Sequence, residues 1–132
     1  MNPITTIRAG DILTRPKALG LVTHVGVAVA PDLILQNTPD KGEHLATLQE
    51  FSAGKPVTVH RTGVDPSIIT ARAQEVLANP QKYNLIENNC EHTTTKVVHG
   101  IARSAQIFFW CMIALVGLVF LFMALMPRKR RA

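Results

Sequence analysis

Tyr83-Asn84-Leu85-Ile86-Glu87-Asn88-Asn89-Cys90-Glu91-His92 is the stretch on which the reading of this 132-residue chain turns. Asparagine is among the best helix N-caps, because its side-chain oxygen accepts from backbone N–H groups that a first turn leaves unpaired. Asn89 in that role places Cys90 in the first turn of a helix that runs to about His99-Gly100. Nothing in Ile101 to Gln106 forbids that helix from continuing into the apolar segment beyond. At a helix start the partial positive charge and the free N–H groups favour a thiolate and lower the thiol pKa. The same N–H groups can donate to an oxyanion forming on a bound acyl carbon. A thiol so placed is either an inert buried group or a nucleophile.

Downstream, Ile107 to Met126 are twenty residues without a charge. At about 1.5 Å rise per residue they reach roughly 30 Å, the thickness of a bilayer's hydrocarbon core. A core helix would show a polar face at helical spacing; this run shows none and meets Arg128-Lys129-Arg130-Arg131. Trp110 near its start suits an interfacial anchor. The division expected is therefore a domain over 1–106, a transmembrane helix over 107–126 and a basic tail over 127–132. Lys plus Arg number 14 against 9 Asp plus Glu, a net +5; removing the four tail cations leaves +1. A nucleic-acid binder carries its excess as a patch on the folded domain, so no nucleic-acid partner is expected. The N-terminus, Met1-Asn2-Pro3-Ile4-Thr5-Thr6-Ile7-Arg8, has no apolar core and reads as no signal peptide.

Upstream, the pattern is strand-like. Gly10-Asp11 turns into a short strand at Ile12-Leu13, and Arg15-Pro16-Lys17 with Gly20 reads as a loop. Leu21 to Ala30 is rich in β-branched residues and is the clearest strand; Leu33 to Gln36 returns as its hairpin partner. Thr38-Pro39-Asp40-Lys41-Gly42 is a turn cluster, Leu48 to Ser52 a helical turn, and Val57 to Arg61 an alternating strand. Ser67 can cap a helix bearing Ile68, Ile69, Ala71, Val76 and Leu77, which Asn79-Pro80 stops. Strands first and helices last predict an α+β fold with a small antiparallel sheet packed on helices, followed by one C-terminal transmembrane helix.

A thiol nucleophile needs a base within hydrogen-bond reach. Of the five histidines, His24 stands out because it sits mid-strand before Val25-Gly26-Val27, where an unpaired imidazole is costly to bury. Gly26 leaves room there for a neighbouring backbone or substrate; a satisfied core histidine is the plainer alternative. His92 lies two positions after Cys90, points elsewhere and reads as structural or as a rim residue; His99 suits a helix C-terminus, and His44 and His60 read as loop and strand-edge residues. Cys90, His92 and His99 have no zinc-ligand spacing, and no metal or cofactor is expected.

The histidine strand Thr23-His24-Val25-Gly26-Val27-Ala28-Val29 together with the Asn-Cys-Glu-His element resembles the lecithin:retinol acyltransferase-like family, within the circularly permuted papain-like (NlpC-type) thiol superfamily. Gly10-Asp11-Ile12-Leu13, Leu48-Gln49-Glu50-Phe51 and Gly54-Lys55-Pro56-Val57 extend the likeness, so it spans about Arg8 to Gly100. The resemblance implies a permuted papain-like fold and thiol acyl transfer, with Cys90 as nucleophile and His24 as general base and acid. The family's third polar residue falls here on Gln36, where relatives commonly carry histidine. Glutamine can accept from the imidazole and fix its tautomer but cannot ionise; Asn37 is the next candidate.

The function expected is a membrane-anchored thiol acyltransferase or phospholipase A-type acyl hydrolase, taking its acyl group from membrane lipid through a Cys90 thioester. The alternatives are a cysteine peptidase or amidase of the NlpC type, or a non-catalytic membrane-anchored adaptor. The basic tail argues for a cytoplasmic C-terminus, which across a single span would put the domain on the opposite side. Against this stand the lack of a signal peptide and the cations Lys96 and Arg103 on the domain side of the span. An anchor so close to the C-terminus lets the domain fold before the span inserts, and a reactive thiol suits a reducing compartment; a cytoplasm-facing domain is the expectation.

Overall fold

The structure, a computed structural model, describes residues 6–127; the basic side chains of 128–131 and the first five residues lie outside it. Five strands, β1 (Ile12–Lys17), β2 (Val22–Ala30), β3 (Leu33–Thr38), β4 (Gly42–Ala46) and β5 (Thr58–His60), form one antiparallel sheet in the order β4-β3-β2-β1-β5. The helices are α1 (Leu48–Ser52), α2 (Pro66–Ala78), α3 (Cys90–His99) and α4 (Ala105–Leu125). This is the α+β architecture the strand-then-helix order predicts, with a C-terminal helix long and apolar enough to cross a membrane.

Alternation of side chains along β2 and β3 divides the core between the two faces of the sheet. Val27 and Leu35 face α2 and α3, where they pack with Ile69, Ala73, Val76, Val97 and Val98. Ala28, Ile34 and Leu13 face the other way and enclose Phe51 of α1. Each fully buried aliphatic or aromatic side chain contributes roughly 1.5–3 kcal/mol, so α1, though only five residues long, is held firmly by Phe51. A capping box between Thr47 and Glu50 starts it. Gly26 makes this packing possible: a Cβ there would lie 2.7 Å from Ile34 and 2.8 Å from Phe51. The room expected beside it for substrate is filled by core.

Several local expectations are corrected. Arg15-Pro16-Lys17 is not a loop but the second half of β1, with Pro16 opposite Thr23. β5 accompanies β1 only from Ile12 to Thr14, so Pro16 lies where β1 has become an edge, the setting in which a strand tolerates proline. Asp65, not Ser67, caps α2: its Oδ1 accepts from the Ser67 N–H at 2.7 Å, and Pro66 takes the first helical position. The turn cluster closes a β3–β4 hairpin, in which β4 is an unanticipated strand. Gly42 there has φ +70°, and a Cβ would lie 2.8 Å from the Gln81 carbonyl. Finally, α3 does not continue into the apolar segment. Gly100 adopts the left-handed conformation (φ 75°) and its N–H bonds the Lys96 carbonyl, a C-terminal stop; Ser104 then caps a separate α4.

Candidate active site

The start of α3 is built by Asn89. Its Oδ1 accepts from the N–H groups of Glu91 (2.9 Å) and His92 (3.1 Å), and His92 Nδ1 accepts in return from the Asn89 N–H at 3.3 Å. This reciprocal capping box confines His92 to the structural role expected of it. The Thr93 N–H is taken by the Asn89 carbonyl. Of the donors a first turn leaves free, the Cys90 N–H is the one these bonds do not consume. The Asn89 amide also donates to the Leu85 carbonyl (2.9 Å) and Ser104 Oγ (3.2 Å), which ties the loop before α3 to the cap of α4.

Cys90 meets β2 where the sheet opens. β2 is paired with β1 from Val22 to Val27, but its registered pairing with β3 covers only Val27 to Ala30. The free edge at Thr23 and Val25 has two occupants. Gln106 brackets Thr23, accepting from its N–H and donating to its carbonyl, both at 2.9 Å. The Cys90 thiol faces the N–H of Val25, which emerges on the same edge two residues on. His24, between them, turns its ring to the α1 face, where it is 2% exposed and stacks on Phe51 with 5.3 Å between centroids. The thiol therefore lies against the backbone one residue beyond His24, yet among the described residues it makes no hydrogen bond to the imidazole.

His24 and Gln36 are brought together: His24 Nε2 lies 2.8 Å from Gln36 Oε1. A carboxamide oxygen only accepts, so Nε2 carries the proton, and in the neutral ring Nδ1 is left with the lone pair a general base needs. The connection extends further than the sequence suggested. Gln36 Nε2 lies 3.1 Å from His44 Nε2, and His44 Nδ1 lies 2.8 Å from the Gly42 carbonyl. His44 had read as a loop or strand-edge residue. The signal that could have found it is the hairpin turn over 38–42, which sets Gln36 opposite His44.

Burial decides the charge state. It pushes the Cys90 thiol above its ordinary 9.0, the nearby Glu91 carboxylate adds to this, and the Val25 N–H and Lys17 only partly offset it. Burial also pushes His24 down to about 4, against the Gln36 hydrogen bond and with Arg15, Lys17 and His44 adding repulsion. The thiolate expected from the helix start is thus corrected. Desolvation outweighs the helix end, and the resting pair is a neutral thiol and a neutral imidazole.

Asn37 does not reach His24. One residue beyond Gln36, it points to the opposite face, fully buried, and donates to the Asn88 carbonyl (2.8 Å) and Thr93 Oγ1 (3.1 Å). Thr93 in turn donates to Glu43 Oε1 at 2.8 Å, while Glu43 Oε2 accepts from the Gln81 N–H at 2.8 Å. This seam fixes the loop over 81–89, and hence Cys90, against the sheet.

A cavity of about 300 Å³ opens at the sulfur, walled by Val22, Tyr83 and Leu85 and, from α4, by Ile107 and Trp110. Leu85 in its wall and the adjacent Ile86 are largely exposed. The first turn of α4 is joined to the site by more than contact, because Glu91 of α3 accepts from Ser104 Oγ and, at 3.0 Å, from the Gln106 N–H. The arrangement offers a thiol at a helix start, a buried, polarised imidazole with a lone pair at Nδ1, a free backbone donor and an apolar chamber. An acyl-transfer centre uses groups of these kinds.

Comparison with curated proteins found no significant match. The family model for lecithin retinol acyltransferase matches residues 36–103, more than half of the chain. The matched stretch runs from Gln36 to the loop after α3 and contains Cys90; the strand bearing His24 precedes it. On that match, and in keeping with the Asn-Cys-Glu-His helix start, the chain belongs to the lecithin retinol acyltransferase family.

Proposed function

We propose that the protein is a membrane-anchored thiol acyltransferase or acyl hydrolase that takes its acyl group from a membrane phospholipid. The single observation that carries this reading is the cavity in which the Cys90 sulfur shares walls with the first turn of the membrane-spanning candidate α4. A lipid acyl chain leaving the bilayer along Trp110 and Ile107 would place its ester carbonyl at the sulfur without crossing water. His24 Nδ1 takes the thiol proton as the sulfur attacks; the Cys90 N–H donates to the oxyanion. The ester C–O bond then breaks, and the lysolipid oxygen recovers the proton from His24. Water or an acceptor alcohol or amine attacks the thioester, its proton passing through the same ring. Because the resting pair is neutral, proton transfer accompanies attack rather than preceding it. Catalytic hydrogen bonds are commonly long in ligand-free sites and tighten in the complex, which accommodates the absent thiol–imidazole bond.

We place the catalytic residues on the cytoplasmic side, supported by the reducing conditions a lone thiol needs. One experiment tests chemistry and orientation together. Sealed vesicles carrying the full chain are supplied with radiolabelled phosphatidylcholine and then treated with external protease. The expected result is a hydroxylamine-sensitive label on Cys90, lost in Cys90→Ala, on a domain cleaved only in vesicles with the cytoplasmic face outward. A label retained in Cys90→Ala would defeat the chemistry, and cleavage in the opposite vesicles would defeat the orientation.

A further inference from the structure

The structure assigns His44 a role as the positioning residue that selects the tautomer of His24, acting through the Gln36 carboxamide. The inference rests on the reading of His24 as the general base and goes beyond it, because it concerns a residue that touches no substrate.

A primary amide is a two-faced partner, with one end accepting and the other donating, and rotation by half a turn exchanges them. Gln36 alone therefore cannot specify which nitrogen of His24 holds the proton. With its oxygen toward the ring it demands Nε2–H; with its nitrogen toward the ring it demands a bare Nε2, which moves the proton to Nδ1 and removes the base. A histidine or a carboxylate partner would pose a different problem, but a glutamine needs its orientation set from outside.

His44 supplies that setting through a chain with one consistent direction. The Gly42 carbonyl, 2.8 Å from His44 Nδ1, can only accept, so Nδ1 carries the proton. In the neutral ring His44 Nε2 is then an acceptor, and the group facing it at 3.1 Å must be the Gln36 NH2. That turns the carboxamide oxygen toward His24, 2.8 Å from Nε2. The hairpin register, Gln36 opposite His44 and Thr38 opposite Gly42, holds all the links at one end of the β3–β4 ladder. A backbone carbonyl, whose polarity cannot change, thus dictates through three hydrogen bonds which nitrogen of His24 is free. Arg15, Asp40, Lys41 and Glu50 share a small recess with His44 and Gln36; none of them takes part in these three bonds.

The test uses the full chain in detergent micelles, labelled with 15N-histidine, and 4-nitrophenyl butyrate as a soluble acyl donor. In the wild type His24 is expected to show a single tautomer, protonated at Nε2. In His44→Ala the amide is released, both tautomers should appear in the nitrogen spectrum, and kcat should fall roughly two- to tenfold as the base-competent fraction drops. Adding Gln36→Glu to His44→Ala restores a partner that only accepts, so both the single tautomer and the rate should recover. An unchanged His24 spectrum in His44→Ala would overturn the proposal, as would a loss of rate that Gln36→Glu does not repair, since a purely packing role predicts no rescue. Should the tautomer shift and recover while the rate stays constant, the positioning role stands and the reading of His24 as base fails.

Discussion

Gln36 and Asn37 are consecutive residues of β3, both amides and both buried, and pleating sends them into two different networks. Gln36 faces the α1 side and joins His24 to His44. Asn37 faces α3 and joins Asn88 and Thr93, with Glu43 one bond further on. In the proposed reading the first network sets where a proton sits and the second where the sulfur sits. A centre built from a strand and a helix needs both, and one strand supplies them by alternation alone. The comparison breaks if variants on the two faces give the same phenotype.

The largest expected effect lies on the Gln36 face, at the ring it polarises. His24→Ala should lower kcat for acyl transfer about 10²- to 10⁴-fold, the span usual for loss of a general base. The pH dependence sharpens the point. His24 titrates at about 4 in the folded chain, so the acid limb assigned to it should fall near 4 and not near its ordinary 6.5. Alkylation of Cys90 by iodoacetamide should keep rising through pH 9, because burial holds the thiol above 9.0. A plateau of alkylation near neutrality would reveal a thiolate–imidazolium pair and contradict the neutral resting state. The same shift costs stability in acid. The folded state binds its proton less readily than the unfolded chain, so stability drops as pH falls from 6.5 toward 4, by on the order of 3 kcal/mol, and changes no further below that through this ring.

On the Asn37 face the expected effect is smaller and of another kind. Asn37→Ala removes two buried donors and leaves the Asn88 carbonyl and Thr93 Oγ1 without them, a loss of about 1–3 kcal/mol. The denaturation midpoint should fall while the acid limb of the surviving activity stays where it was. A displaced acid limb with unchanged stability would show that Asn37 communicates with the imidazole after all, and the separation of the two faces would be lost.

What the sequence discloses follows the same division between local and non-local causes. The N-cap at Asn89 is legible because a side-chain oxygen and the N–H groups it accepts lie within three residues. β2 is legible from its β-branched run, and the apolar helix from length and purity. β4 is not, because Gly42-Glu43-His44-Leu45-Ala46 carries little strand preference and owes its conformation to Gln36 and its neighbours across the hairpin. His44 is lost with it. The break between α3 and α4 is hidden because a glycine inside a helical pattern can be an interior residue or a stop, and only the left-handed backbone at Gly100 decides. The charge state of Cys90 is the least legible, since a local rule predicts a lowered pKa and the tertiary burial that reverses it has no signature near position 90.

The smallest expected effect concerns the place where the membrane-spanning candidate meets the site. β3 leaves β2 after Val27, and the Gln106 carboxamide substitutes for one rung of the missing ladder by pairing with both backbone groups of Thr23. It is the last polar side chain before an uninterrupted apolar run, so its presence at the second position of α4 calls for a local reason, and Thr23 provides it. Gln106→Ala should free the Thr23 N–H and carbonyl at a cost of about 1–2 kcal/mol, seen as faster amide exchange at Thr23 with kcat reduced only a few-fold. Gln106→Glu separates the two bonds. A carboxylate still accepts from the Thr23 N–H but cannot donate to its carbonyl, so protection of that amide should persist while the stability loss is comparable. Equal exchange at Thr23 in wild type and Gln106→Ala would mean that α4 is held to β2 by its apolar wall alone, and that Gln106 plays no part in bringing the bilayer-facing helix to the strand that carries His24.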